Sequence, residues 1–156
     1  MAAGGSEVPA VIAHGLEWCR AERPVPEPPP SLLWGDVRIG NVVFDDGLRP
    51  AAVLDWEMAT VGPAEVDLGW FLALHRLTVE SAGADLPGFP DRDATVAAYQ
   101  DRLGRPVADL GWFETFALVR SGAIMVRVAR LLRNAGIGDS WLRDNPVVDR
   151  LARRLR

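Results

Sequence analysis

No lysine occurs anywhere in the 156 residues; all 17 basic side chains are arginine. A Walker-type phosphate loop ends in an obligatory Lys, and Schiff-base or lysine-base catalysis needs its amine, so neither chemistry can be built from this sequence. Cysteine is almost as scarce. The single Cys19 excludes an intrachain disulfide framework and any multi-cysteine zinc site, and it reads as a passive apolar position in a helix. The two histidines, His14 and His75, lie far apart on separate helical stretches without a partner pattern, which points to structural rather than catalytic roles. A strong charge of either sign is missing as well. A net charge of −4 and a pI near 5.2 argue against a nucleic-acid partner or an acidic membrane surface. No apolar run reaches the roughly 18–20 residues of a membrane span; the longest candidate, ALVRSGAIMVRVARLL, carries three arginines. The opening MAAGGSEVPA has neither a basic n-region nor a continuous apolar h-region, so the expectation is a cytoplasmic chain without a membrane partner.

What is present is a hydrophobic content of 49% with a mean hydropathy near zero, enough for one domain over residues 1–156 with a real core. Residues 8–23 carry apolar positions at Val8, Ile12, Leu16 and Cys19, close to helical spacing. The proline-rich connector at 24–30 must end that helix. NVVF (41–44) and AAVLDW (51–56) flank DDGLRP, which has Asp-Gly turn chemistry, so a β-hairpin is expected there. Both strands are apolar on both faces, which predicts a hairpin covered on both sides. The chain then turns helical. GPAEVDLGWFLALHRL should bury Val66, Trp70, Leu74 and Leu77 along one face after a Gly-Pro start. Residues 83–90 read as a loop, and DRDATVAAYQDRLG as a short helix closed by Gly104. Residues 109–135 read as a long helix burying Phe113, Phe116, Ile124, Val128 and Leu131, and an Arg-rich helix follows Pro146. Trp112, Phe113, Phe116 and Trp141 read as core more readily than as pocket. The fold class expected is α+β: a mainly helical body around a small β-hairpin.

Two apolar runs end on an acid, Leu32-Leu33-Trp34-Gly35-Asp36 and Ala51-Ala52-Val53-Leu54-Asp55. A carboxylate in such a place is costly without a partner or a metal. Pairing around the turn places Asn41 opposite Leu54 or Asp55, and Asp36 lies five residues before Asn41 across the loop DVRIG, whose Gly35 and Gly40 permit unusual backbone angles. Asp36, Asn41 and Asp55 can therefore gather at the open end of one hairpin. Three oxygen donors without His or Cys suit Mg²⁺, held by one or two carboxylates together with substrate phosphates. Asn41 and Asp55, on paired strands, are best placed to grip the metal. Asp36, on the loop, is free to accept a proton from a hydroxyl, and Arg38 offers a fork of donors to phosphate oxygens. These are the parts of a phosphoryl-transfer site. The plainer alternative is that Asp36 and Asp55 cap turns and a helix after DW, and Glu57 reads as a cap of the following segment.

WGDVRIGN followed by AVLDWEMATVGPAEVDLGW resembles the aminoglycoside phosphotransferase and choline kinase family, relatives of the protein kinases, whose catalytic loop reads H-G-D-x-x-x-x-N. The resemblance runs from about residue 8 to residue 80. It implies Asp36 as acceptor of the hydroxyl proton, Asn41 and Asp55 as Mg²⁺ ligands, and Asp67 as a structural acid steadying the loop. It also implies ATP as phosphoryl donor and a small hydroxylated molecule as substrate. Trp34 stands where the family has His, and its indole N–H is expected to reach Asp67. Nothing before residue 31 supplies the lysine-bearing lobe that clamps the nucleotide. The expectation is therefore a C-terminal lobe that works with a separate N-terminal lobe or second chain, the alternative being an inactive lobe that binds a ligand or partner.

Overall fold

A computed structural model describes residues 9–84, 87–137 and 145–156. In chain order its elements are helix α1 (Ala10–Ala21), strand β1 (Pro30–Leu33), a single 3-10 turn (Ile39–Asn41), strands β2 (Val42–Phe44), β3 (Pro50–Val53) and β4 (Thr60–Pro63), and helices α2 (Glu65–Ala82), α3 (Arg92–Leu103), α4 (Leu110–Asn134) and α5 (Pro146–Arg154). They make up two compact units: residues 24–114, and residues 1–23 together with 115–156. The α+β class expected from the sequence is what the chain adopts.

The unit at 24–114 carries the strands. β2 and β3 pair antiparallel, Val42 opposite Val53 and Val43 opposite Ala52, with an irregularity between Val43 and Phe44. Their turn is organised by Asp45, whose carboxylate accepts from the backbone of Gly47 and Arg49, both at 2.9 Å. Leu48, not Gly47, takes the left-handed backbone conformation there, with φ 58°. The bonds from Arg49, backbone and side chain, hold the Asp45 carboxyl below its ordinary range. β1 pairs with β4, Leu32 opposite Val61. That second ladder was not expected: after DW the chain forms a turn and a strand rather than a helix, and Glu57 lies exposed in that turn. Gly62 and Pro63 conceal the strand in the sequence, because both residues weaken strand patterning.

The expectation of a hairpin covered on both sides is corrected. Every residue of β3 is exposed, as are Val43, Phe44, Leu54 and Trp56, while Leu32 and Val61 are 70% and 72% exposed. Continuous apolar character identifies strands that can be buried on both faces, but burial needs a covering layer, and within the described residues neither helix nor sheet lies over them.

The buried face of α2 is also displaced from the expected one. It holds Leu68, Gly69, Trp70, Leu72, Ala73 and Leu77, with Val66 and Leu74 only half-buried. Gly69 explains the offset: a Cβ there would stand 2.7 Å from the Phe113 carbonyl carbon, so the start of α4 at Phe113 approaches α2 along its small-residue stripe. α3 begins on Asp91, whose side chain accepts from the Ala94 N–H, and ends on Gly104 in a left-handed C-cap, the stop expected from its sequence.

In the other unit, Ile12, Gly15 and Cys19 are the buried positions of α1, while Leu16 is exposed; Val8 lies outside the described residues. Gly15 packs against Val119 and Leu151, and Gly122 against Ile12. Along α4 within this unit the buried apolar side chains are Ala117, Leu118, Val119, Val126 and Ala129, while Phe113, in the unit at 24–114, is buried as expected. Phe116 and Ile124 are half-buried and Val128 and Leu131 exposed, a second correction: of the five expected positions only Phe113 is buried. Asn145 caps α5 by accepting from Val147 and Val148. Trp141 lies outside the described residues. Among the described residues no helix is long and apolar enough to cross a membrane.

Candidate active site

The candidate site residues Asp36, Arg38, Asn41, Asp55 and Asp67 all fall within the unit at 24–114. Trp34, Gly35 and Asp36 follow β1 directly, and their position is set from outside the loop by α2. Asp67, in the first turn of α2, accepts from the Trp34 backbone N–H at 2.7 Å and from the Gly35 N–H at 3.0 Å. A carboxylate accepting two backbone donors at a helix N-terminus is favoured by both the charge-assisted bonds and the helix dipole. Asp67 thus steadies the loop, as the resemblance implied. The route expected for Trp34 is corrected: its indole N–H donates to the Leu54 carbonyl at 2.7 Å, while its backbone, not its ring, reaches Asp67. The ring lies 6.1 Å from that of Trp56.

Gly35 is required by its surroundings, since it sits at φ 92° and a Cβ would be 2.3 Å from the Met58 carbonyl oxygen. Gly40 has open space around it and no left-handed backbone, so the freedom expected of it is not used.

Asp36, 14% exposed at its side chain, is surrounded by donors. Its Oδ2 accepts from Asn41 Nδ2 at 2.8 Å and from Arg38 Nε at 2.9 Å, and its Oδ1 accepts from the Trp70 indole at 3.1 Å. Asn41 is buried. Its amide nitrogen also bonds the Asp36 carbonyl at 3.1 Å, so among the described residues its own amide oxygen is left uncommitted. The register question is resolved by the bond from the Leu54 N–H to the Asn41 carbonyl at 2.8 Å, which seats Asp55 next along from Asn41's partner. Asp55 takes a left-handed backbone at φ 62°, uncommon for a residue with a Cβ and a frequent mark of functional sites. Its Oδ2 is 4.0 Å from the Arg38 guanidinium. Arg38 therefore lies against both acids, and the structure brings Asp36, Arg38, Asn41 and Asp55 together.

The donor set is oxygen from Asn41 and Asp55 with Asp36 beside it, chemistry that fits a hard cation completing its shell with phosphate oxygens. Among the described residues no three His, Cys, Asp or Glu side chains form a ready-made metal cage, and a site of that shared kind needs none.

Two features escaped the sequence reading. Trp70 was assigned to the core and is buried, yet its polar edge reaches Asp36; the only signal was its place three residues after Asp67, on the same side of a helix. Beneath them, Glu65 is fully buried and takes both terminal nitrogens of Arg105, one contact being very short and the other 3.1 Å. That bond raises the Arg105 pKa above its ordinary value. Tyr99 donates to the Ala64 carbonyl at 3.1 Å, and burial, with the charges of Asp67 and Glu65, pushes its phenol up. Nothing in the spacing of 65 and 105 announces this pair. His75 is a structural histidine, its ring stacked between Phe71 and Phe89 at 5.8 and 4.5 Å.

The family model of the phosphotransferase enzyme family, APH, matches residues 2–109. The chain belongs to that family. This APH-family chain is 35% identical to acyl-CoA dehydrogenase family member 11 from Pongo abelii over 160 residues, covering 94% of the chain and 20% of that protein. It is 37% identical to the Homo sapiens protein of the same name over 71 residues, covering 45% of the chain and 9% of that protein. A crystal structure from Ralstonia eutropha JMP134, provisionally assigned as an aminoglycoside phosphotransferase, superposes with a TM-score of 0.71 at 24% identity, covering 97% of this chain and 47% of that one. The APH-family chain thus has the fold of the C-terminal part of a kinase-like protein, and spans about a fifth of its first relative and about half of the solved structure.

Proposed function

We propose that this chain is the catalytic-loop lobe of a small-molecule kinase, which transfers the γ-phosphoryl group of ATP to a hydroxyl of its substrate. The observation that carries the reading is the convergence of Asp36, Arg38, Asn41 and Asp55 at the open end of the hairpin, with Asp36 held by buried donors. Asp36 accepts the hydroxyl proton. The electron pair so released forms the bond to the γ-phosphorus, while the bond to the bridging oxygen breaks and its pair leaves with ADP. Asn41, through its amide oxygen, and Asp55 hold Mg²⁺, which when bound neutralises charge on the transferring phosphate. Arg38 keeps its Nε–H on Asp36 and offers its terminal nitrogens to phosphate oxygens as the nucleotide enters.

The exposed apolar strands favour a covering partner. In the proposed assembly the nucleotide-clamping lobe comes from sequence outside these 156 residues or from a second chain, and it lies over Leu32, Val61, Val53 and Leu54, where exposed apolar area of this kind marks an interaction surface.

Calorimetric titration of Mg²⁺-ATP into the chain tests the proposal, with Asp55→Ala as control. Binding abolished by the substitution is the expected result. Equal binding by both proteins would remove Asp55 from the site. No binding by the native chain at millimolar nucleotide would mean that the lobe is incomplete without its clamping partner or serves only to bind one, and the same titration with that lobe supplied separates the two.

A further inference from the structure

Phosphotransfer through Asp36 depends on where its carboxylate points, and that is decided by a residue the proposed chemistry does not otherwise use. Resting on that reading, we infer that Trp70 is a positioning residue for Asp36: its indole N–H fixes the carboxylate so that Oδ1 receives the substrate's proton.

An ionised carboxylate has two acceptor positions on each oxygen. Both on Oδ2 are filled, by Asn41 and Arg38, whereas Oδ1 accepts only the Trp70 indole among the described residues. The open position is therefore on Oδ1, beside the indole. There the hydroxyl O–H bond breaks, its proton joins Oδ1, and the oxygen keeps the electron pair that forms the bond to the γ-phosphorus, as the bond from that phosphorus to the bridging oxygen breaks and its pair leaves with ADP.

The terminal torsion of an Asp is broad and roughly two-fold, so the choice between oxygens must be imposed. Arg38 is a poor candidate, since its side chain is half-exposed. Asn41 belongs to the same loop and moves with it. Trp70 alone comes from a separate element, is buried, and has only two side-chain torsions. Its indole is a donor and never an acceptor, so it can orient the carboxylate without competing for the proton. Asp67 stands three residues earlier on α2 and holds the Trp34 and Gly35 amides. One side of one helix thus fixes the backbone of the loop and the aim of its acid. Phenylalanine at 70 would fill much of the same space but could not donate.

The test measures ADP release from Mg²⁺-ATP, with water as acceptor, by the native chain, Trp70→Phe, Asp36→Asn and the double variant. Trp70→Phe should lower kcat about 10- to 100-fold, the scale of a misaligned reacting group, with the KM for ATP unchanged. It should cost nothing further once Asp36 is Asn. An unchanged kcat, or a loss that multiplies with that of Asp36→Asn, would overturn the inference. No ADP from the native chain is what the absence of the nucleotide-clamping lobe would itself produce, and the phosphotransfer reading then rests on the Asp55→Ala titration. The contact is then decided by the Trp70 indole N–H resonance in ¹H–¹⁵N spectra of the native chain and Asp36→Asn, an arm that also stands if Trp70→Phe does not fold. A shifted, less protected resonance supports the positioning; an unmoved one refutes it.

Discussion

Replacing Asp67 by Asn removes the charge that ties α2 to the loop at Trp34–Asp36 while leaving shape almost unchanged. The native carboxylate accepts from Trp34 N at 2.7 Å and Gly35 N at 3.0 Å. Asn offers one oxygen and one NH₂ group, so one backbone donor faces another donor and the second bond loses its charge assistance. Losing a hydrogen bond to a charged group costs about 1.5–3 kcal/mol, and downgrading the other about 1 kcal/mol more. The helix-dipole contribution of an acid in the first turn adds about 0.3–1 kcal/mol. Local opening of the loop should therefore become easier by about 3–5 kcal/mol, a rise in exchange on the order of 100- to 1,000-fold or more. The assay is native-state hydrogen exchange read at the Trp34 and Gly35 amides. Asp93→Asn serves as control, because its exposed carboxylate meets only Arg92 among the described residues, at 3.4 Å, and such pairs contribute little. If Asp67→Asn leaves both amides as protected as in the native chain, the claim that α2 positions the loop is wrong.

The remaining predictions concern the support beneath the site and the lone thiol. Arg105→Met strands the fully buried Glu65 carboxylate and should destabilise the unit at 24–114 by about 3–5 kcal/mol; urea unfolding measures it, and Glu65→Gln with Arg105→Met should recover part of the loss. Burial pushes the Cys19 thiol from 9.0 up to about 11. The unfolded thiol then ionises first, so this contribution to stability is complete below pH 9 and is lost as pH rises towards 11. Cys19→Ala should flatten that part of the stability–pH curve, and the native thiol should resist alkylation at pH 8 until the chain is unfolded.

The local chemistry of the site was legible because it is local. Asp36 and Asn41 are five residues apart, the loop between them is short, and a turn-closed hairpin brings Asp55 alongside within one register step. Helix ends were legible for the same reason: Asp91, Gly104 and Pro146 act on their nearest neighbours. Core positions were less so. Periodicity marked a face of α2 and of α4, but which residues of that face were buried depended on close approach at Gly69 for α2, and along α4 large side chains such as Leu131 were left outside.

What the sequence determined by itself is the α+β class, the hairpin and the set of oxygen donors at its open end, because each follows from residue type and short separation. Tertiary structure alone decided the rest. Trp70 meets Asp36 from 34 residues away, Arg105 meets Glu65 from 40, and β4 finds β1 across the hairpin. Such contacts are fixed by where whole elements dock, and docking is a property of their combined surfaces that no spacing along the chain records.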